Sequence, residues 1–172
     1  MILYVPFILQ GLIMLVDEFV IHEKRGLPKW ERYGHPLDSL TVLAAFVYLI
    51  NFPWSEGNQT IYIVICVFSC LFITKDEFVH QQESSGLEHW LHSLLFLLHP
   101  VSFWCAALIW KNRPGDKFLL IQSVILFTFM LYQIFRWSDL WQRSTTRSTK
   151  TLEKDGTRPG TIPSRSSARK VG

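Results

Sequence analysis

Cysteine is scarce in this chain and poorly placed for crosslinking. The 172 residues include three, Cys66, Cys70 and Cys105, all inside apolar runs where the residue behaves as a small buried hydrophobe. They make no disulfide frame and no zinc-finger spacing, since Cys66 and Cys70 stand one helical turn apart. The first apolar run lacks a basic leading segment and an A-x-A-like site ahead of Asp17, so it is expected to stay as a helix and not to be removed as a signal. Basic residues are thin along the apolar body: of 17 Lys and Arg, nine lie from Arg136 onward. That is the distribution of a juxtamembrane tail and excludes a groove for nucleic acid.

What the chain has in quantity is apolar surface. Hydrophobic residues make up 49% of it, more than a soluble core of this size can hide, so the bilayer is the natural solvent. Five runs follow. Residues 2–21 are apolar except for Gln10 and the pair Asp17-Glu18, a length of about 30 Å as a helix. Residues 23–34, with four basic residues, Gly26 and Pro28, read as a loop. A second helix runs from about Pro36, well placed in a first turn, to Phe52. A short connection, Trp54 to Thr60, has no Lys or Arg. The third helix covers Ile61 to about Gln81, and the turn from Gln82 to Gly86 leads to the fourth, about Leu87 to Trp110, which Pro100 should kink. Lys111 to Lys117 is a basic turn, and Phe118 to about Gln142 is the fifth helix. Residues 143–172, rich in Ser, Thr, Arg, Lys, Gly and Pro, should form a disordered tail.

Five spans place the amino terminus and the second and fourth loops on one side. The first and third loops and the tail fall on the other, with fourteen of the 17 Lys and Arg. The positive-inside tendency makes this second side cytoplasmic. The expected fold is an all-α integral membrane protein with one domain over 1–142 and a cytoplasmic tail over 143–172.

One phrase is written twice. Asp17-Glu18-Phe19-Val20-Ile21-His22 closes the first run and Asp76-Glu77-Phe78-Val79-His80 closes the third. A second phrase follows each after a polar turn, with His35 and Asp38 in one copy and His89 and His92 in the other. The first four helices therefore read as a bundle of two duplicated hairpins, 1–52 and 61–110, arranged as parallel repeats about an axis along the membrane normal. Such an axis brings corresponding residues face to face.

The residues in these phrases are metal-ligand types at helical spacing. Glu18 and His22 are four apart, Glu77 and His80 three, His35 and Asp38 three, and His89 and His92 three, so each helix aims two groups one way. Carboxylate with imidazole is the ligand set of first-row transition metals. Glu77-x-x-His80 matches the pattern that ferritin-like di-iron and di-manganese bundles use, although the other pairs depart from it toward nitrogen. The expected ligands are Glu18, His22, His35, Asp38, Glu77, His80, His89 and His92, enough for two ions, iron first, with zinc or manganese as alternatives. Asp17, Asp76 and Glu88 read as ligands, as acceptors behind the histidines or as interfacial charges, and Glu23 reads as an interfacial charge or such an acceptor.

His99, seven residues past His92 and about 10 Å deeper, either lines a substrate pocket or bonds a backbone carbonyl. Arg136 and Asp139 should pair with each other. With iron, such a site oxidises a lipid or other hydrophobic molecule, using an electron donor. With zinc it hydrolyses an ester, amide or phosphoester, Asp76 serving as base. The alternatives outside enzymology are a metal- or haem-binding membrane protein and a membrane scaffold.

Overall fold

Among the described residues, five helices between Ile2 and Arg136 are long and apolar enough to cross a membrane. The computed structural model describes residues 1–23, 27, 29–75 and 86–138, and no strand occurs among them. Met1–Trp137 forms one unit. A second begins at Ser138 and beyond that residue lies outside the described residues, as does the expected disordered tail.

The first helix, α1 (Ile2–His22), opens with a 3-10 turn at Ile2–Tyr4. It continues as α-helix over Val5–Val16, with Pro6 in the first turn where its missing N–H costs nothing, and ends as π-helix over Asp17–His22. The second, α2, spans Lys29–Asn51 and corrects the expectation of a loop up to Gly34. Trp30-Glu31-Arg32-Tyr33 contains no helix breaker, and Glu31 in the first turn favours the amino-terminal end of the helix dipole. Pro36 thus sits inside the helix, where its ring removes only the bond to the Arg32 carbonyl.

The third helix, α3 (Glu56–Ile73), starts earlier than expected because the Ser55 side chain caps it, accepting from the Asn58 N–H at 3.2 Å. The fourth, α4 (Gly86–Asn112), continues through Pro100. The fifth, α5 (Lys117–Arg136), is capped by Asp116 and stops six residues short of the expected Gln142. Its end is set by Trp137, which leaves helical geometry and returns its N–H to the Gln133 carbonyl at 3.1 Å.

The helices close into a ring in the order α1, α4, α3, α2, α5. α2 packs on α5 and α3, while α1 and α3 pack on α4. Side chains complete the circuit between α5 and α1: Phe7 meets Phe118 edge to face, and Trp137 reaches Glu18. This differs from a bundle of the first four helices, because α5 enters between α1 and α2. The contacts also fix direction. Tyr4 bonds Asp116 at one end and Glu18 bonds Gln133 at the other, so α1 and α5 are parallel. Lys75 pairs with Asp38, and Tyr62 bonds the Phe103 carbonyl, so α3 is antiparallel to α2 and α4.

The apolar core fills the half of the ring near the amino terminus of α1. Phe7, Ala45, Phe46, Tyr62, Phe103, Ala106, Ile109 and Leu119 are buried there, with Ala45 and Ala106 letting backbones approach. The outer surface is also apolar, with Leu12, Phe68, Leu71, Trp104, Ile121, Val124 and Phe135 among its exposed residues. Helices apolar on both faces need a lipid-like solvent outside as well as a core within. The other half of the ring carries the ionisable groups.

Candidate metal site

The π winding of α1 builds the centre of this site. Residues five apart on an α-helix are rotated by about 140°, so Asp17 and His22 would diverge. Winding with i→i+5 bonds brings them toward one face, and the Asp17 Oδ2 lies 3.3 Å from the His22 Nε2. From α4, Glu88 and His92, four apart, complete the group: the His92 Nε2 is 3.4 Å from the same Asp17 oxygen, and the Glu88 Oε1 is 3.9 Å from the His22 Nε2. All four residues are buried, and one ligand atom from each falls within 4.8 Å of the others.

These separations are long for hydrogen bonds, which run to about 3.2 Å for N–H with oxygen. They suit the edges of a coordination sphere, because ligands about 2.1 Å from one tetrahedral ion lie about 3.4 Å apart. Three atoms support the same conclusion. His22 is 1% exposed, yet neither of its ring nitrogens has a hydrogen-bond partner among the described residues, nor has the Asp17 Oδ1. Buried charged and polar groups are ordinarily paired, hydrogen-bonded or bound to metal. This group of Asp, His and Glu could hold a metal ion.

A second group adjoins the first through His22. Glu31 and His35, four apart on α2, place ligand atoms within 4.8 Å of His22 and of each other. The rings of His22 and His35 lie 4.9 Å apart with 35° between their planes.

Glu18 stands behind His22. Its Oε1 accepts from the Trp137 Nε1 at 2.6 Å and its Oε2 from the Gln133 Nε2 at 3.1 Å. Oε2 is also 3.7 Å from the His22 Nδ1. A carboxylate on that side favours the proton on Nδ1 and leaves the Nε2 lone pair facing Asp17, Glu88 and His92, the tautomer needed for ligation. Glu18 is therefore placed to orient a ligand, whereas its spacing in the sequence suggested a ligand itself.

The remaining expected ligands divide as follows. Asp38 faces the same cavity but its Oδ1 is held by the Lys75 Nζ at 2.6 Å, so it belongs to neither group. His89 is half-buried and outside both groups, because the inward pair on α4 is Glu88 with His92. Asp76, Glu77 and His80 lie outside the described residues. Arg136 bonds Glu23, at 2.6 and 2.8 Å, and its expected partner Asp139 is likewise outside them.

Below the metal-ligand types a cavity of about 140 Å³ runs down the ring. Asp17, His22, His35 and His92 line its upper end, Met14, Val42, Phe46, Leu95, Leu126 and Phe129 its middle, and Gln10, His99 and Gln122 its lower part. His99 is buried within a hydrogen-bonded chain. Ser102 donates to the Gln10 Oε1 at 2.6 Å, which turns the Gln10 amide N–H toward the His99 Nδ1 at 3.3 Å. The His99 Nε2–H then donates to the Ser69 Oγ at 3.0 Å, and Ser69 to the Thr41 Oγ1 at 2.7 Å. Thr41 passes its own proton to the Asp38 carbonyl at 2.8 Å. The chain ties α1, α4, α3 and α2 together across the apolar interior. Both nitrogens of His99 are thereby engaged while its ring lines the cavity.

Glu31 carried no expectation as a ligand, and for Asp17 and Glu88 the sequence leaves ligand, acceptor and interfacial charge open. One signal was available. Glu-x-x-x-His occurs at Glu18-His22, Glu31-His35 and Glu88-His92, and this spacing picks out the helix faces that converge. Asp17 carried no such mark, since its place depends on the π winding.

The fold and site together define a five-helix chain with membrane-spanning character and a buried group of nitrogen and oxygen donors. No family model, curated protein or solved structure matches the chain.

Proposed function

We propose that this is a multi-pass membrane protein that binds transition metal just inside its cytoplasmic face and oxidises a lipid or other hydrophobic molecule there. The observation that carries the reading is the buried group Asp17, His22, Glu88 and His92 opening onto an apolar cavity. Two ligand groups sharing His22 favour two ions, and mixed carboxylate and imidazole donors favour iron. Bound iron would supply dioxygen activation for hydroxylation, R–H + O2 + 2e⁻ + 2H⁺ → R–OH + H2O, or for desaturation, and either requires an electron donor as partner. The chain's own residues then have distinct tasks. Asp17, His22, Glu88, His92, Glu31 and His35 hold the ions, Glu18 orients His22, and the apolar walls position a hydrocarbon and exclude water. Positive charge orients the amino terminus outside and the tail in the cytoplasm.

A second reading has its own support. Edges of 3.3 and 3.4 Å also suit a single four-coordinate zinc, whose activated water would hydrolyse an ester or amide.

Metal analysis of the purified protein separates them. Two irons per chain with an oxo-bridged absorption support oxidation, and one zinc supports hydrolysis. A Soret band, or no metal after purification without chelators, overturns both. The double variant His22→Ala/His92→Ala should insert normally and lose its metal. Full metal loading of that inserted variant would remove these two residues from the site.

A further inference from the structure

The cavity is polar at both ends, and its lower end is the less expected of the two. Gln122 lines it from the middle of α5, three helical turns or about 16 Å before Gln133. Its side-chain amide has no hydrogen-bond partner among the described residues. A primary amide facing an apolar cavity inside a hydrophobic helix is destabilising unless something bonds it. Gln10, on the neighbouring α1, uses its oxygen on Ser102 and one N–H on His99, which leaves a second N–H for another acceptor. The two amides stand at a similar depth, because α1 and α5 are parallel with Phe7 beside Phe118 and Glu18 beside Gln133. Between them and the metal ligands the walls are apolar, Met14, Leu126 and Phe129 among them.

We propose that Gln10 and Gln122 form a subsite for a neutral oxygen, hydroxyl or carbonyl, borne by a hydrophobic ligand about 10 Å from the atom that meets the upper group. That length is the seven-residue rise from Gln10 to Asp17 and again from His99 to His92, and matches an extended chain of about eight carbons. The inference deepens the proposed function by naming its substrate class, an oxygenated and not a purely hydrocarbon chain. A saturated acyl tail would leave the Gln122 amide and the second Gln10 N–H unbonded, whereas an oxygen at that depth accepts from each. The neutral, donor-and-acceptor character of the pair disfavours a carboxylate there, which would enter without a cation.

The test is equilibrium binding of octan-1-ol and 1-chlorooctane to the protein in nanodiscs, corrected with empty discs of the same lipid. It is run on metal-loaded and metal-stripped samples, with metal content measured for each. The chain should bind octan-1-ol saturably and about tenfold tighter than 1-chlorooctane, the discrimination of one buried hydrogen bond. Gln122→Leu, which makes the span more apolar and so inserts readily, should abolish that preference, and Gln10→Leu should reduce it. Equal binding of the two probes to wild type, or an undiminished alcohol preference in Gln122→Leu, would overturn the subsite. Because the preference is read without metal as well, a protein that binds no ion yet selects the alcohol sinks the oxidation reading and leaves this one standing.

Discussion

His22 concentrates the chemistry of this protein in one side chain: its Nε2 faces Asp17 and Glu88, its Nδ1 faces Glu18, and its ring lies against that of His35. Glu18 acts on the site through that histidine. Glu18→Gln keeps the shape and removes the charge facing Nδ1, so it should weaken metal affinity about 10- to 100-fold without abolishing it, measured by competition with a chelator of known affinity. A variant that binds as tightly as wild type would reduce Glu18 to an anchor for α5. The sequence made the pairing of Glu18 with His22 legible here but not the approach of Asp17 to the other ring nitrogen. Regular α-helical spacing joins Glu18 to His22, and only the π stretch turns Asp17 into the inward neighbour.

At the scale of the helix, periodicity located all five elements, and local capping decided where they begin. Ser55 starts α3 well before its apolar run, and the helix-compatible residues ahead of Pro36 let α2 reach back to Lys29, which delivers Glu31 to the site. Asp116 caps α5 by accepting from the Phe118 N–H at 2.9 Å and also accepts from the Tyr4 hydroxyl. The Phe118 N–H, then the Tyr4 hydroxyl, with Arg113 adding attraction, hold its carboxyl below the ordinary 3.8. A depressed folded value means the stabilisation is present above the unfolded value and lost as pH falls through the folded one. Asp116→Ala should therefore lower the melting temperature by about 2–4 °C at neutral pH, a difference that shrinks below about pH 4. Thermal unfolding in detergent from pH 7 to 2.5 checks this, and a pH-independent difference would assign the loss to packing.

For the whole molecule, the direction of the five helices puts loops 52–55 and 113–116 at one end and the metal-ligand groups at the other. In a background with Cys66, Cys70 and Cys105 replaced by Ala, Gly57→Cys should react with a membrane-impermeant maleimide on intact cells. Gly86→Cys should react only after the membrane is permeabilised. The reverse pattern would place the metal site at the outer face and overturn the assignment from basic residues.

The sequence by itself determined five long apolar segments and the gathering of acidic and imidazole groups at one end of them, because hydropathy and charge act locally along the chain. Which of those groups meet was decided by tertiary structure. The turn of π-helix, the insertion of α5 between α1 and α2, and the early start of α2 each rotate or deliver side chains by a few ångströms. Coordination geometry depends on distances of that size, and no spacing pattern confined to one helix encodes how two helices face each other.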